Sequence, residues 1–172
     1  ERAAEFGVSD RIEFIEGDAG QYIAEAQSFD IVSCIGATWI GDGLVGTLKL
    51  MLPALKPGGL LLVGEPYWNE PAPDEAYTAL NVGKDEFTSL IGTLERINSV
   101  GLELVEMVLA NPASWDRYEA SQWRTLYEWL RAHPDDPLAP EAREMFEASQ
   151  RSHLAFQRRY FGWGVFVTKV KL

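Results

Sequence analysis

The sequence predicts an α/β fold built on a mostly parallel sheet, and three observations carry that reading. Apolar runs of strand length alternate with stretches of helical periodicity from Arg11 to Leu109. Phe29 to Ile35, reading FDIVSCI, is nearly all apolar, as strands covered on both faces are. The run Lys56-Pro57-Gly58-Gly59 separates a helical pattern from the apolar segment that follows it. Alternation of this kind brings strands together in parallel through βαβ units.

In chain order, Arg2 to Phe6 reads as the tail of a helix stopped at Gly7. RIEFIEGDA, from Arg11 to Ala19, runs alternating apolar residues into a Gly-Asp turn, which predicts a strand over Arg11 to Ile15 and a helix over Ala19 to Ala26. The strand Phe29 to Ile35 follows. Leu44, Val45, Leu48, Met51, Leu52 and Leu55 recur at helical spacing. Lys56 favours the end of that helix, Pro57 breaks it, and the glycines lead into a strand over Leu60 to Gly64. Glu70 to Asp74, with Pro71 and Pro73, is a surface loop. Phe87, Leu90, Ile91, Leu94 and Ile97 mark a further helix that Gly101 ends, and Leu102 to Leu109 is the next strand.

After Ala110 the pattern changes. Trp115 to Arg131 and Pro140 to Tyr160 read as two helices around the turn His133 to Pro137, with Ser114 as an N-cap and Pro140 at a first helical position. The last strand, Trp163 to Val170, returns beside Leu102 to Leu109 as an antiparallel partner. With no repeat, low-complexity run or linker, residues 1–172 read as one domain, and 111–161 as a helical insertion within it.

Composition narrows the function. A chain of 172 residues that is 47% hydrophobic can bury a sizeable core. A formal charge of -11 argues against nucleic acid or an anionic membrane as partner, since both draw on clustered Lys and Arg. No apolar run approaches the roughly 20 residues that span a bilayer, and ERAAEF lacks the pattern of a signal peptide, so a cytoplasmic location is expected. The single cysteine, Cys34, falls within an expected buried strand and reads as a small hydrophobe. With His133 and His153 the only histidines, and no acidic cluster at ligand spacing, no metal is expected.

RIEFIEGDA, FDIVSCIGA, LKPGGLLLVGEPYW and the terminal antiparallel pair together resemble the class I S-adenosylmethionine-dependent methyltransferases. The resemblance covers most of the chain. It implies a Rossmann-like seven-stranded sheet with a reversed terminal strand, and S-adenosyl-L-methionine as cofactor. It also implies that the family's glycine-rich loop and ribose-binding acidic residue lie upstream of Glu1, making this the carboxy-terminal part of a longer protein. Residue by residue, Gly17-Asp18-Ala19 resembles the adenine contact: the Asp18 carboxylate, which only accepts hydrogen bonds, would favour the amino group. Asp18 as a helix cap is the competing role. Ile35, Gly36 and Ala37 match the loop beneath the methionine part of the cofactor, where small residues admit close backbone approach.

The strand-end tetrad Gly36-Ala37-Thr38-Trp39 lacks the Asn or Asp, two prolines and aromatic shared by methyltransferases of nucleic-acid bases and amides. A small-molecule acceptor is therefore expected. Trp39, Tyr67 and Trp68 from strand-end loops, with Trp115, Tyr118, Trp123 and Tyr160 from the inserted helices, are its candidate contacts, through apolar enclosure or cation-π attraction. The helical pair reads as a substrate lid, with an oligomer contact as its competing role. His153 shares a helix face with Phe146, Phe156 and Tyr160 and is a candidate general base, against the alternative of a packing residue. Glu65, at the end of the Leu60 to Gly64 strand, is the second catalytic candidate. Two readings from other classes stand beside methyl transfer: a nicotinamide-dependent dehydrogenase, and a non-catalytic binding module using the aromatic hairpin.

Overall fold

In the computed structural model, which describes residues 1–22 and 24–172, helices and strands follow the expected alternation from Phe29 onward. The elements are α1 (Arg2–Glu5), β1 (Phe29–Ile35), α2 (Leu44–Met51), β2 (Leu55–Trp68), α3 (Asp74–Leu80), α4 (Leu90–Ser99), β3 (Leu102–Leu109), α5 (Pro112–Ala132), α6 (Ala139–Ser152), α7 (Arg158–Tyr160) and β4 (Phe161–Val170). Among the described residues the sheet has four strands, in the order β1-β2-β4-β3. The expected seven-stranded sheet is therefore not what these residues form. β1 and β2 pair in parallel, and β4 runs antiparallel to both β2 and β3, so the reversed terminal strand is present.

The expected strand Arg11 to Ile15 is absent. Ile12 has extended backbone, but a strand also needs a neighbour for its N–H and C=O groups, and β1 is bonded only to β2. Phe14 and Ile15 consequently remain exposed. In place of the expected helix Ala19 to Ala26, the described residues form turns; Ile23 of that expectation lies outside the described residues. The backbone amides of Gln21 and Tyr22 donate to the carbonyls of Asp18 and Ala19, three residues back, as in turns.

Elsewhere the corrections concern ends. α2 stops at Met51 and continues as a single 3-10 turn, Leu52–Ala54, because Pro53 has no N–H to carry the helix further. Asn111, not Ser114, caps α5: its side chain accepts from the Ser114 amide at 2.9 Å, and Pro112 takes a first-turn position. Pro140 falls one residue inside α6, which begins at Ala139. The long second helix widens to i→i+5 bonding at a π-turn, His153–Gln157, before α7. The expected loop Glu70 to Asp74 gives way at Asp74 to α3, with Pro73 at its N-cap.

The core lies on the sheet face covered by α2 and α4. Leu44, Leu48 and Met51 from α2 and Ile97 from α4 close over Leu61, Val63 and Tyr67 of β2 and Phe166 of β4. Along β2 the alternating buried row reads Leu61, Val63, Glu65, Tyr67, so a carboxylate occupies a position that the period of two assigns to the core.

Candidate active site at the carboxyl edge of the sheet

Register brings the functional edge together. Ile35 pairs with Gly64, Glu65 with Gly164, and Leu109 with Gly164 from the other side. The carboxyl ends of β1 and β3, the Glu65 region of β2 and the start of β4 thus share one edge, and helix α5 begins two residues past Ala110. The Ala110 amide donates to the Trp163 carbonyl at 2.9 Å, and the Gly36 amide to the Gly64 carbonyl at 3.1 Å.

On one side of this edge is an aromatic cavity of about 490 Å³, lined by Ile35, Gly36, Ala110, Ser114, Trp115, Tyr118 and Trp163. Gly36 is there for a reason: its φ is +72°, and a Cβ on it would come within 3.2 Å of the Trp163 ring. A Cβ on Gly64 would lie 2.8 Å from the same ring. The two glycines let the Trp163 indole lie across the strand ends. Trp115 stacks parallel to Trp163, with centroids 6.3 Å apart and planes 8° apart, and Tyr118 stacks on Trp115 at 5.5 Å. The buried Trp115 Nε1 has no hydrogen-bond partner among the described residues, leaving a donor in the cavity wall. Trp163 is the first residue of the expected last strand, and no local signal in the sequence marks it for this site.

On the other side, toward α2 and α4, is a second cavity of about 490 Å³ whose lining includes Thr38, Trp39, Asp42, Glu65, Asp85, Glu86, Phe87 and Arg96. Glu65 is 2% exposed. Its Oε2 accepts from Thr38 Oγ1 at 2.6 Å, while its Oε1 has no partner among the described residues. Burial dominates its titration and pushes the carboxyl up from its ordinary 4.5 to about 7, against the bond from Thr38 and the charge of Arg96. Arg96 does not bond the carboxylate. It donates to the carbonyls of Asp85 and Glu86 at 2.8 Å each, and so holds that loop against α4.

The loop carrying Thr38 is fixed by backbone contact. Thr47 Oγ1 donates to the Thr38 carbonyl at 2.6 Å, and the Gly43 amide donates to it at 3.0 Å. Gly46 of α2 packs so closely on Gly41 that a Cβ would sit 1.8 Å from the Gly41 oxygen. Glycine at both positions thus lets α2 approach the Thr38–Gly41 3-10 turn.

The remaining expected residues are scattered. Asp18 is exposed, and its carboxylate closes on its own turn, accepting from the Gly20 amide at 2.9 Å and from Gln21 Nε2 at 2.8 Å. The turn formed by Gly17, Asp18 and Ala19 leads to Gly20, which passes against the Ile40 carbonyl. Tyr67 and Trp68 are buried: the Tyr67 ring lies over Gly162, and Trp68 packs on Tyr77 and Phe161. Trp123 donates to Ser149 inside the helical hairpin. Tyr160 carries the Arg159 guanidinium on its ring.

His153 is 1% exposed, with Nε2 at 2.9 Å from Asp116 Oδ1 and Nδ1 at 2.7 Å from Gln157 Oε1. Arg158 Nε reaches both oxygens of the same aspartate at 3.1 Å. Both ring nitrogens are thereby engaged by residues of the hairpin itself. The packing role is the one the geometry supports.

Comparison with known proteins shows the family. The chain is 41% identical to a SAM-dependent methyltransferase from Geobacter sulfurreducens solved in complex with S-adenosyl-L-homocysteine, covering 99% of this chain and 69% of that one with a TM-score of 0.91. This chain belongs to the S-adenosylmethionine-dependent methyltransferases. A second such enzyme, from Thiobacillus denitrificans and also in complex with S-adenosyl-L-homocysteine, is 38% identical over 99% of this chain and 69% of its own, with a TM-score of 0.90. The uncharacterized protein YjhP of Escherichia coli (strain K12) is 44% identical over 167 residues, which is 96% of this chain and 67% of YjhP. Residues 88–168, from α4 through most of β4, match a family described only as of unknown function (DUF8026). That match contains Trp115, Tyr118 and Trp163 but neither Gly36 nor Glu65.

Proposed function

We propose that the protein transfers a methyl group from S-adenosylmethionine to a small-molecule acceptor by in-line displacement. The observation that carries the reading is the glycine-floored edge at Gly36, in a chain whose relatives of 41% and 38% identity were solved with S-adenosyl-L-homocysteine. When bound, the cofactor supplies an electrophilic methyl carbon on a sulfonium with a good leaving group.

The residues present fit such a group. Gly36, with φ +72°, turns the chain at the strand end beneath the Trp163 ring, and Ile35 and Ala37 flank it as the floor assigned to the methionine part. The stacked Trp163, Trp115 and Tyr118 form an apolar wall beside this floor. Gly17, Asp18 and Ala19 are assigned to the adenine; Asp18 would exchange its bond to Gln21 for the amino group. The hairpin of α5 and α6 reads as a lid, because its first turn forms one wall of the aromatic cavity. Water exclusion and alignment of acceptor behind the methyl carbon are then the main contributions of this chain. Among the described residues no His, Cys, Asp and Glu group could hold a metal ion, and no helix is long and apolar enough to cross a membrane.

The test is transfer of a tritiated methyl group from S-adenosylmethionine, with the intact protein offered three separate fractions: small metabolites, protein and nucleic acid. Label appearing in the small-molecule fraction supports the reading. Label confined to protein or nucleic acid overturns the acceptor class, and absence of label from all three overturns the reaction.

A further inference from the structure

The acid-lined cavity beside Glu65 is not accounted for by cofactor binding, and its chemistry points to a kind of acceptor. Asp42, Glu65, Asp85 and Glu86 line it against one cation, Arg96, whose guanidinium is turned to the Asp85 and Glu86 carbonyls. Trp39, which is 75% exposed, and Phe87 supply aromatic surface in the same lining. An acidic cluster alone would be a solvated surface. Here one lining residue, Glu65, is 2% exposed and keeps an oxygen, Oε1, with no partner among the described residues. A buried acceptor without a donor is costly, so this oxygen calls for one.

We propose, resting on the methyl-transfer reading above, that the acceptor is a small amine with an apolar or aromatic body, held as its ammonium in this cavity with Glu65 Oε1 as its proton acceptor. Thr38 Oγ1 donates to Oε2 and fixes the carboxylate, which leaves Oε1 as the working oxygen. The same edge carries the Gly36 loop, since Gly64, the residue before Glu65, pairs with Ile35. An amine reacts only through a free lone pair. Oε1 takes one proton from the ammonium, and the nitrogen lone pair forms the N–C bond to the methyl carbon as the C–S bond breaks. The C–S electron pair stays on sulfur, giving the neutral thioether. The product leaves as the methylated ammonium, and the proton on Glu65 passes to water.

The charged and titratable groups around this carboxylate are Asp42, Asp85, Glu86 and Arg96 in the cavity lining, with Cys34 and Tyr67 on the sheet face beneath. Burial pushes the Cys34 thiol and the Tyr67 hydroxyl up, so both stay neutral through the working range. Glu65 takes on charge near pH 7, and the ammonium site strengthens as it does.

The test is calorimetry on the intact protein, with and without saturating S-adenosylhomocysteine, titrating phenethylamine against 2-phenylethanol. The expected result is that phenethylamine binds roughly tenfold or more tighter, that Glu65→Gln abolishes the difference, and that wild-type affinity for the amine rises from pH 6 to pH 8. Equal binding of amine and alcohol, no binding of the amine, or a preference that survives in Glu65→Gln would each overturn the inference. The pH arm uses wild type alone, so it stands even where the variant folds poorly. S-adenosylhomocysteine binding is read separately: its failure would sink the methyl-transfer reading, while the amine preference is still scored without it.

Discussion

Replacing Glu65 by Gln should remove part of the protein's pH dependence of stability, in an amount that follows from the buried carboxyl. In the folded chain Glu65 holds its proton to about pH 7, against 4.5 in its ordinary state. Between those values the native state binds a proton that the unfolded chain has lost, so stability falls as pH rises through that window and is level above it. At about 1.4 kcal/mol per pH unit, the gap corresponds to roughly 3 kcal/mol lost between pH 4.5 and 8. Gln at this position cannot ionise. It still accepts from Thr38, and its amide NH2 replaces the unpartnered oxygen with an unpartnered donor, a cost that does not change with pH. Urea unfolding of wild type and variant at pH 5 and pH 8 should therefore show the variant gaining on wild type by roughly 2–3 kcal/mol between the two. Taking the difference between the two proteins cancels the other carboxylates. A wild-type-to-variant gap that stays constant from pH 5 to pH 8 would refute the burial of an ionisable Glu65.

Other outcomes follow from single contacts. Gly36→Ala forces a Cβ into positive φ and toward Trp163, so it should destabilise by about 1–2 kcal/mol and weaken S-adenosylhomocysteine binding; the measurements are thermal melting and calorimetry. Gly46→Ala puts a Cβ against the Gly41 oxygen and should shift α2 from the Thr38 turn, seen as loss of the raised Glu65 titration by carboxyl-resolved NMR. Asn111→Ala removes the cap of α5 and should cost about 1 kcal/mol in chemical denaturation. His153→Gln should lower the melting temperature while leaving the pH profile of kcat unchanged, since the ring is engaged by Asp116 and Gln157.

Much of this fold was legible because its signals are local. The limits of Phe29–Ile35 and Leu102–Leu109 follow from apolar runs with clear stops. The reversed strand β4 followed from its place after a helical insertion. Arg11 to Ile15 shows the limit of that approach: alternation sets a backbone tendency, but pairing is a property of a neighbour, and no neighbouring strand stands beside it among the described residues. Of the site, Gly36 and Glu65 were readable as strand-end residues. The role of Trp163 was not, because it depends on Gly36 and Gly64 lying under one ring although they are far apart in sequence. The partners of His153 are hidden for a related reason: Asp116, which engages it, comes from the other helix of the hairpin.

The central claim is that this edge binds S-adenosylmethionine, and calorimetric titration of the intact protein with that cofactor tests it most directly, with Asp18→Ala measured alongside. Micromolar binding that weakens about tenfold in Asp18→Ala is the expected result. A folded wild-type protein that takes up no S-adenosylmethionine would contradict the account.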